Sequence, residues 1–258
     1  MTDAHGLLLG RDEENGVATI TLSAPDKLNR VTMAARDRLR ELFEELGRDE
    51  SVRAIILRGE GRAFTAGGDI QGFLDASPEE VSRLAWNVAA PERCPKPVIA
   101  LLHGYAFGVG FELALACDFR IAEAGTELAL PELNLGMIPG SGGTQRLARI
   151  VGLGRAKDII MRRRRVGTDE ALALGLVTEV VPEGGLDAAA ARLVAELATT
   201  SPLALAMAKR VLNHAYDAPL AAGLELEGLA YGLLRTSDDF REGVEAFFEK
   251  RPPKFTGR

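Results

Sequence analysis

Apolar runs and helical periods alternate along this chain as far as about residue 182, and beyond that only the helical period persists. Residues 7–11 and 16–22 read as two strands, and Glu13-Glu14-Asn15-Gly16 between them is a hairpin signal. Asn29 ends a loop, and the spacing predicts a helix from there through about 47, because Leu39, Leu42, Phe43 and Leu46 recur at helical intervals. Residues 54–57 and 97–102 are short apolar runs, the pattern of buried strands. Ser77-Pro78-Glu79-Glu80 is a helix start, with a cap residue, Pro at the first position and acids in the first turn. Ser201-Pro202 opens a further helix, and 219–233 and 237–249 follow as helices. The order predicts an α/β fold followed by a helical appendage.

One stretch breaks the hydrophobic pattern. GYAFGVGFELALACD, residues 104–118, reads from Val109 on as a short buried helix, yet Glu112 sits within it. An unpaired buried carboxylate is costly, so Glu112 needs either a structural partner or a catalytic use.

Composition narrows the classes. The chain has 258 residues, 47 % hydrophobic and 26 % charged, enough for one large domain or a domain with an appendage. Its net charge of −6 argues against a dedicated nucleic-acid binder. Cys94 and Cys117 form no CxxC pair and no zinc spacing, so they read as reduced, packed thiols. The N-terminal MTDAHGLLLGRDEEN lacks a basic region and a long apolar run, and no stretch is long enough to span a bilayer. The expected location is cytoplasmic.

Three glycine-bearing stretches carry the candidate chemistry: AFTAGGDI (63–70), GYAFGVGFE (104–112) and LPELNLGMIPGSGGTQRL (130–147). The first two each follow a predicted strand. Glycine there lets the backbone approach a ligand and aim its N–H groups. Two such loops can point two donors at one oxygen, forming an oxyanion hole. Other uses of the glycines fail on spelling. GVG at 108–110 is followed by Leu113 where a dinucleotide fingerprint needs Gly. PGSGGT lacks the ending of a P-loop, and a hydrolase elbow needs Gly where Pro139 stands. Only His5, His103 and His214 could serve a Ser-His triad.

Together, these residues resemble the enoyl-CoA hydratase/isomerase (crotonase) family, over roughly 15–255. The resemblance is carried by Pro25 and Asn29, AFTAGGD, KPVIA with 104–118, PELNLGMIPGSGGTQRL, ALGLVTEVVP (173–182) and EKRPPKF (249–255). It implies a spiral of repeated β-β-α turns over 1–200 holding the active site, then an all-helical trimerisation region over 201–258. It implies backbone oxyanion donors at Gly68 and Val109, with Val where relatives often have Gly. Since Val does not take positive φ cheaply, the donor is expected in the first turn of a helix. It also implies Glu132 as proton donor and Glu112 as the water-orienting base. The implied CoA contacts are Lys27, Leu28, Ala66, Asp69 and Ile70, with Phe247 and Lys250 reaching a neighbouring subunit's CoA. Phe73, Leu74 and Trp86 are candidates for the acyl pocket.

The expected activity is hydration of a 2-trans-enoyl-CoA, a lyase reaction with no metal and no cofactor beyond the CoA of the substrate. The expected partners are that thioester and further copies of the chain, as a trimer or a pair of trimers, without nucleic acid or membrane. A Δ3,Δ2-enoyl-CoA isomerase, another acyl-CoA-transforming crotonase and an acyl-CoA-binding relative without turnover remain as alternatives. Fatty-acid oxidation and a biosynthetic role are equally open. His103 stands where the family usually has Asn, and reads as a structural histidine. Arg162–Arg165 depart from the usual Thr-Gly and read as a solvated face at a helix C-terminus, with a CoA-phosphate contact as the alternative.

Overall fold

The computed structural model describes residues 2–258. The predicted hairpin forms: β1 (Leu7–Asp12) pairs antiparallel with β2 (Val17–Leu22), from Leu7 opposite Leu22 to Asp12 opposite Val17. Thr32 then caps α1 (Met33–Arg48) by accepting from the Ala35 N–H. The buried face of α1 is Ala35, Arg36, Leu39, Leu42, Phe43 and Leu46, so helical spacing sets the packing, and one cation lies inside it. Strand β3 (Ala54–Gly59) follows. The helix start at Ser77 is a capping box that opens α2 (Pro78–Ser82), followed by α3 (Leu84–Val88) and α4 (Ala90–Arg93).

The middle of the chain is built from strand–strand–helix turns. One turn is β4 (Val98–Leu102), β5 (Tyr105–Phe107) and α5 (Val109–Leu115). The next is β6 (Phe119–Glu123), β7 (Glu127–Ala129) and α6 (Gly143–Val151). Then come α7 (Leu153–Met161), β8 (Arg165–Val166), α8 (Thr168–Ala173) and β9 (Glu179–Val181). Four helices finish the chain: α9 (Leu186–Ala198), α10 (Pro202–Asn213), α11 (Leu220–Leu234) and α12 (Asp238–Glu249).

Each turn gives one strand to each of two sheets. The larger sheet runs β1-β2-β3-β4-β6-β9 and is parallel except at β1; the smaller runs β5-β7-β8. A parallel bridge from Thr65 to Ala106 brings the loop after β3 to the edge of the smaller sheet. This is the spiral that the resemblance implies.

All five residues of β4 are buried, because both faces of the sheet are covered. Val98, Ala100 and Leu102 join the main core with Leu39, Phe43 and Phe111. Ile99 and Leu101 face a second core with Ala189, Ala190 and Val194 of α9. Cys94 and Cys117 are free, buried thiols, and burial pushes Cys117 up to about 12. His103 donates from Nε2 to the Gly61 carbonyl at 2.9 Å, which suits a structural role. Among the described residues, no helix is long and apolar enough to cross a membrane.

Asn29 fixes the loop that faces the site. It is buried at φ 54. Its Oδ1 accepts from the Ala24 N–H at 2.9 Å, and its Nδ2 donates to the carbonyls of Glu60 and Ala63 at 2.8 Å each. Asn29→Ala orphans these groups and is expected to cost about 1–3 kcal/mol, read as a lower urea midpoint.

Candidate active site

The first loop is held on both sides of Gly68. Val31 donates to the Gly67 carbonyl at 2.9 Å, and Asp69 donates to the Val31 carbonyl at 3.2 Å. The Gly68 N–H between them makes no hydrogen bond among the described residues. Gly67 takes φ 118, a conformation that favours glycine.

In the second loop, the backbone reversal falls on Gly108, at φ 52 and ψ −127, and not on Val109. Gly108 donates to the Ala129 carbonyl at 2.9 Å and accepts from the Glu112 N–H at 3.0 Å. Val109 is the first residue of α5, and its N–H likewise has no partner among the described residues. A Cβ on Gly108 would lie 3.9 Å from the Gly67 Cα, so the two loops are in close approach. The valine is therefore tolerated because its neighbour takes the positive φ.

Both loops wall a cavity of about 140 Å3 that also holds Arg36, Glu112 and Glu132. Glu112 is buried, with Oε1 accepting from the backbone N–H groups of Ser141 at 2.7 Å and Gly143 at 2.9 Å. Burial raises its carboxyl above the ordinary range; the two N–H donors and the charge of Arg36 oppose the rise. Glu132 opens a 3-10 turn, Glu132–Leu135, directly after Pro131. Its Oε1 would lie 3.2 Å from a Cβ on Gly108, so the glycine leaves room for this carboxyl. Its Oε2 is buried without a partner. Burial, and next the charge of Glu112, push Glu132 up to about 7. One carboxyl is thus anchored by donors and the other is poised to hold a proton near neutrality.

The other expected residues divide into three groups. Ala66 and Ile70 line the cavity with Gly68 and Val109. Lys27, Leu28 and Asp69 lie beside it: the Leu28 carbonyl accepts from the Ala66 N–H at 2.9 Å, Lys27 is exposed, and Asp69 pairs with Arg30 at 3.2 Å. Phe247 and Lys250 lie at the end of α12, exposed, and Phe247 lines a different groove among the last helices. Within one chain they do not reach this cavity.

The acyl-wall expectation is corrected in part. Phe73 lines the cavity, but Leu74 and Trp86 do not. Leu74 is exposed, and Trp86 points outward with the Arg93 guanidinium 3.8 Å from its ring centre. Val81 and Leu84, three apart on the opposite face, take that place. The arginine run is taken up by intrachain partners. Arg162 and Arg164 pair with Asp158, Arg164 also with Glu170, Arg165 with Glu127, and Arg163 donates to Asn134.

Arg36, Ser141 and Gly143 are site residues that the sequence reading missed. Arg36 had a usable signal: it stands at an apolar helical position, three before Leu39 and seven before Phe43, as Glu112 stands in its own apolar run. Ser141 and Gly143 act through backbone N–H groups, which leave no mark of residue type. No cluster of three or more His, Cys, Asp or Glu side chains placed to hold a metal occurs among the described residues.

Comparisons with known proteins give the family and the fold. The family model for enoyl-CoA hydratase/isomerase matches residues 12–258. A short-chain-enoyl-CoA hydratase of Clostridium acetobutylicum is 34 % identical over 245 residues, covering 93 % of this chain and 94 % of its own. A crystal structure from Streptomyces coelicolor A3(2) superposes with a TM-score of 0.93 at 41 % identity, covering 100 % of this chain and 96 % of the other. That of an enoyl-CoA hydratase from Bacillus anthracis gives 0.91 at 35 % identity, covering 98 % and 100 %. A family model that matches nearly the whole chain, with relatives and solved structures alike over almost their full length, leaves one placement: the chain belongs to the enoyl-CoA hydratase/isomerase family.

Proposed function

We propose that the protein is an enoyl-CoA hydratase, a lyase that adds water to a 2-trans-enoyl-CoA to give a 3-hydroxyacyl-CoA. The observation that carries this reading is the pairing of Glu112 and Glu132 in one cavity walled by two unpartnered amides. The thioester carbonyl accepts from the N–H groups of Gly68 and Val109. Glu112 orients a water and takes one of its protons as the oxygen bonds to the β-carbon. The electron pair of the double bond moves towards the thioester oxygen, where the two donors hold the enolate charge. Glu132 delivers its proton to the α-carbon from the same side, giving syn addition. Proton exchange with solvent then restores Glu132 as the acid and Glu112 as the base. Each backbone donor contributes roughly 2.7–4 kcal/mol to the barrier reduction.

The experiment offers crotonyl-CoA and a 3-enoyl-CoA in parallel. A hydratase removes the conjugated thioester absorbance of the first. An isomerase leaves it and raises that absorbance from the second. Binding without change in either would make the protein an acyl-CoA binder.

For assembly, we propose a homotrimer or a pair of trimers. Helix α11 is apolar almost throughout, yet Leu220, Leu229 and Tyr231 are exposed and only Ala230 is buried. Such a helix fits a covered surface. In that assembly Phe247 and Lys250 reach the CoA of a neighbour, while Lys27, Leu28, Ala66, Asp69 and Ile70 hold it from their own chain. Light scattering is expected to give three or six chains; a clean monomer would contradict the shared site.

A further inference from the structure

Arg36 is the charge in this site that the proposed reaction leaves unused. It is only 3 % exposed, yet among the described residues it forms no ion pair. Its Nε is buried without a partner, and Nη1 makes a single long contact, 3.5 Å, to the Ser141 hydroxyl. Its Nη2 would lie 2.8 Å from a Cβ on Gly68, so the guanidinium stands against the first oxyanion loop. Phe73 flanks it, with the ring centre 5.1 Å from Cζ. A buried guanidinium left this bare is costly, and a packing role would be met by any apolar residue at the same helical position.

Its surroundings say what offsets that cost. Glu112 comes from α5, Glu132 from the turn after Pro131 and Arg36 from α1, and all three line the same cavity. From the other walls, Asp69 turns to Arg30, while Glu79 and Arg83 pair with each other and Glu80 caps α2. Arg146 of α6 donates to the Ser141 carbonyl at 3.1 Å and pairs with Glu92, and among the described residues no charged side chain other than Arg36, Glu112 and Glu132 lines the cavity. Burial pulls Arg36 down to about 10, so it stays cationic at neutral pH.

We infer that Arg36 is a positioning residue for the glutamate pair: its fixed buried charge lets two carboxyls share one cavity, one ionised as base and one protonated as acid. It acts through space, without gripping either carboxyl, so both remain free to exchange protons. Its place beside Gly68 also sets a positive charge near the oxygen where the enolate develops. The kinetic part rests on the hydratase reading; the titration part does not.

The test compares the wild type with Arg36→Lys, Arg36→Met and Arg36→Gln. Removing a cation disfavours nearby anions, so both limbs of the pH profile of kcat/KM should move to higher pH in the Met and Gln variants, by about one unit or more. Arg36→Lys keeps the charge and should return the limbs close to wild type, whatever it does to the rate. In parallel, carbon-13 NMR of labelled glutamate follows the two carboxyls without any turnover. It should show the same upward shift in the neutral variants and none in the Lys variant. Arg36→Gln keeps a donor towards Ser141 and serves where Arg36→Met does not fold. Unshifted carboxyls in a folded neutral variant would overturn the inference and leave Arg36 a packing residue. If the wild type hydrates no enoyl-CoA, the function falls, and the titration still decides the role of Arg36.

Discussion

Glu132→Gln is expected to lower turnover by about 10²–10⁴-fold while CoA-ester binding stays intact. The amide has nearly the shape of the protonated carboxyl but no proton to give. Glu132 sits where Gly108 makes room for it, and its buried Oε2 touches no protein partner, so the substitution disturbs no hydrogen bond of the chain at that atom. In the proposed reaction the loops hold the thioester, and the substitution leaves them in place. The same substitution should act on stability with a definite sign. The Glu132 carboxyl is raised from 4.5 to about 7 by burial and by Glu112. Its contribution to stability is fully present below the unfolded value and is lost as pH rises through the folded one. Glutamine never ionises and loses nothing. Glu132→Gln should therefore melt higher than the wild type at pH 8, by on the order of 1–3 kcal/mol of stability, and no higher at pH 4. Equal melting at both would contradict the raised carboxyl. Activity should also fall above about pH 7 as the acid ionises.

Glu112→Gln should cost turnover on the same scale, about 10²–10⁴-fold, for a different reason. The amide oxygen can still accept from Ser141 and Gly143, so the turn into α6 stays in place and only the base is lost. Glu112→Ala removes that acceptor as well and leaves two buried N–H groups bare, at about 1–3 kcal/mol each. Thermal melts should separate the two variants clearly, while assays should not. If Glu112→Ala were as stable as Glu112→Gln, the anchoring of the 141–143 turn would be wrong. A fully active Glu112→Gln would remove Glu112 from the chemistry.

Much of this site is written in residue types. The hairpin, α1, β3, β4 and the buried start of α5 follow from periodicity and punctuation, because each is long enough or apolar enough to show its period. The change from strands to helices near 182 matches the end of β9 at Val181. The second sheet is not legible this way: β5 and β7 have three residues each and β8 has two, too short for any period to register. The spiral came only with the family resemblance. At the site, Glu112 announced itself as a charge in an apolar run, and Arg36 carried the same mark on α1 unnoticed. Leu74 and Trp86 were misplaced because apolarity alone does not say which face a short helix turns inward. Phe247 and Lys250 do not line the cavity within one chain, and residue type does not say what they meet at the exposed end of α12.

In the proposed reaction the glutamate pair adds the elements of water across the enoyl double bond. The direct measurement incubates the wild type with crotonyl-CoA in water enriched in oxygen-18 and deuterium and reads the product by mass spectrometry. The expected product is 3-hydroxybutyryl-CoA carrying one oxygen-18 at the β-carbon and one deuterium at the α-carbon, with none formed by Glu112→Gln or Glu132→Gln on the same timescale. Deuterium incorporation without oxygen-18, or a labelled product that survives both substitutions, would contradict that reaction.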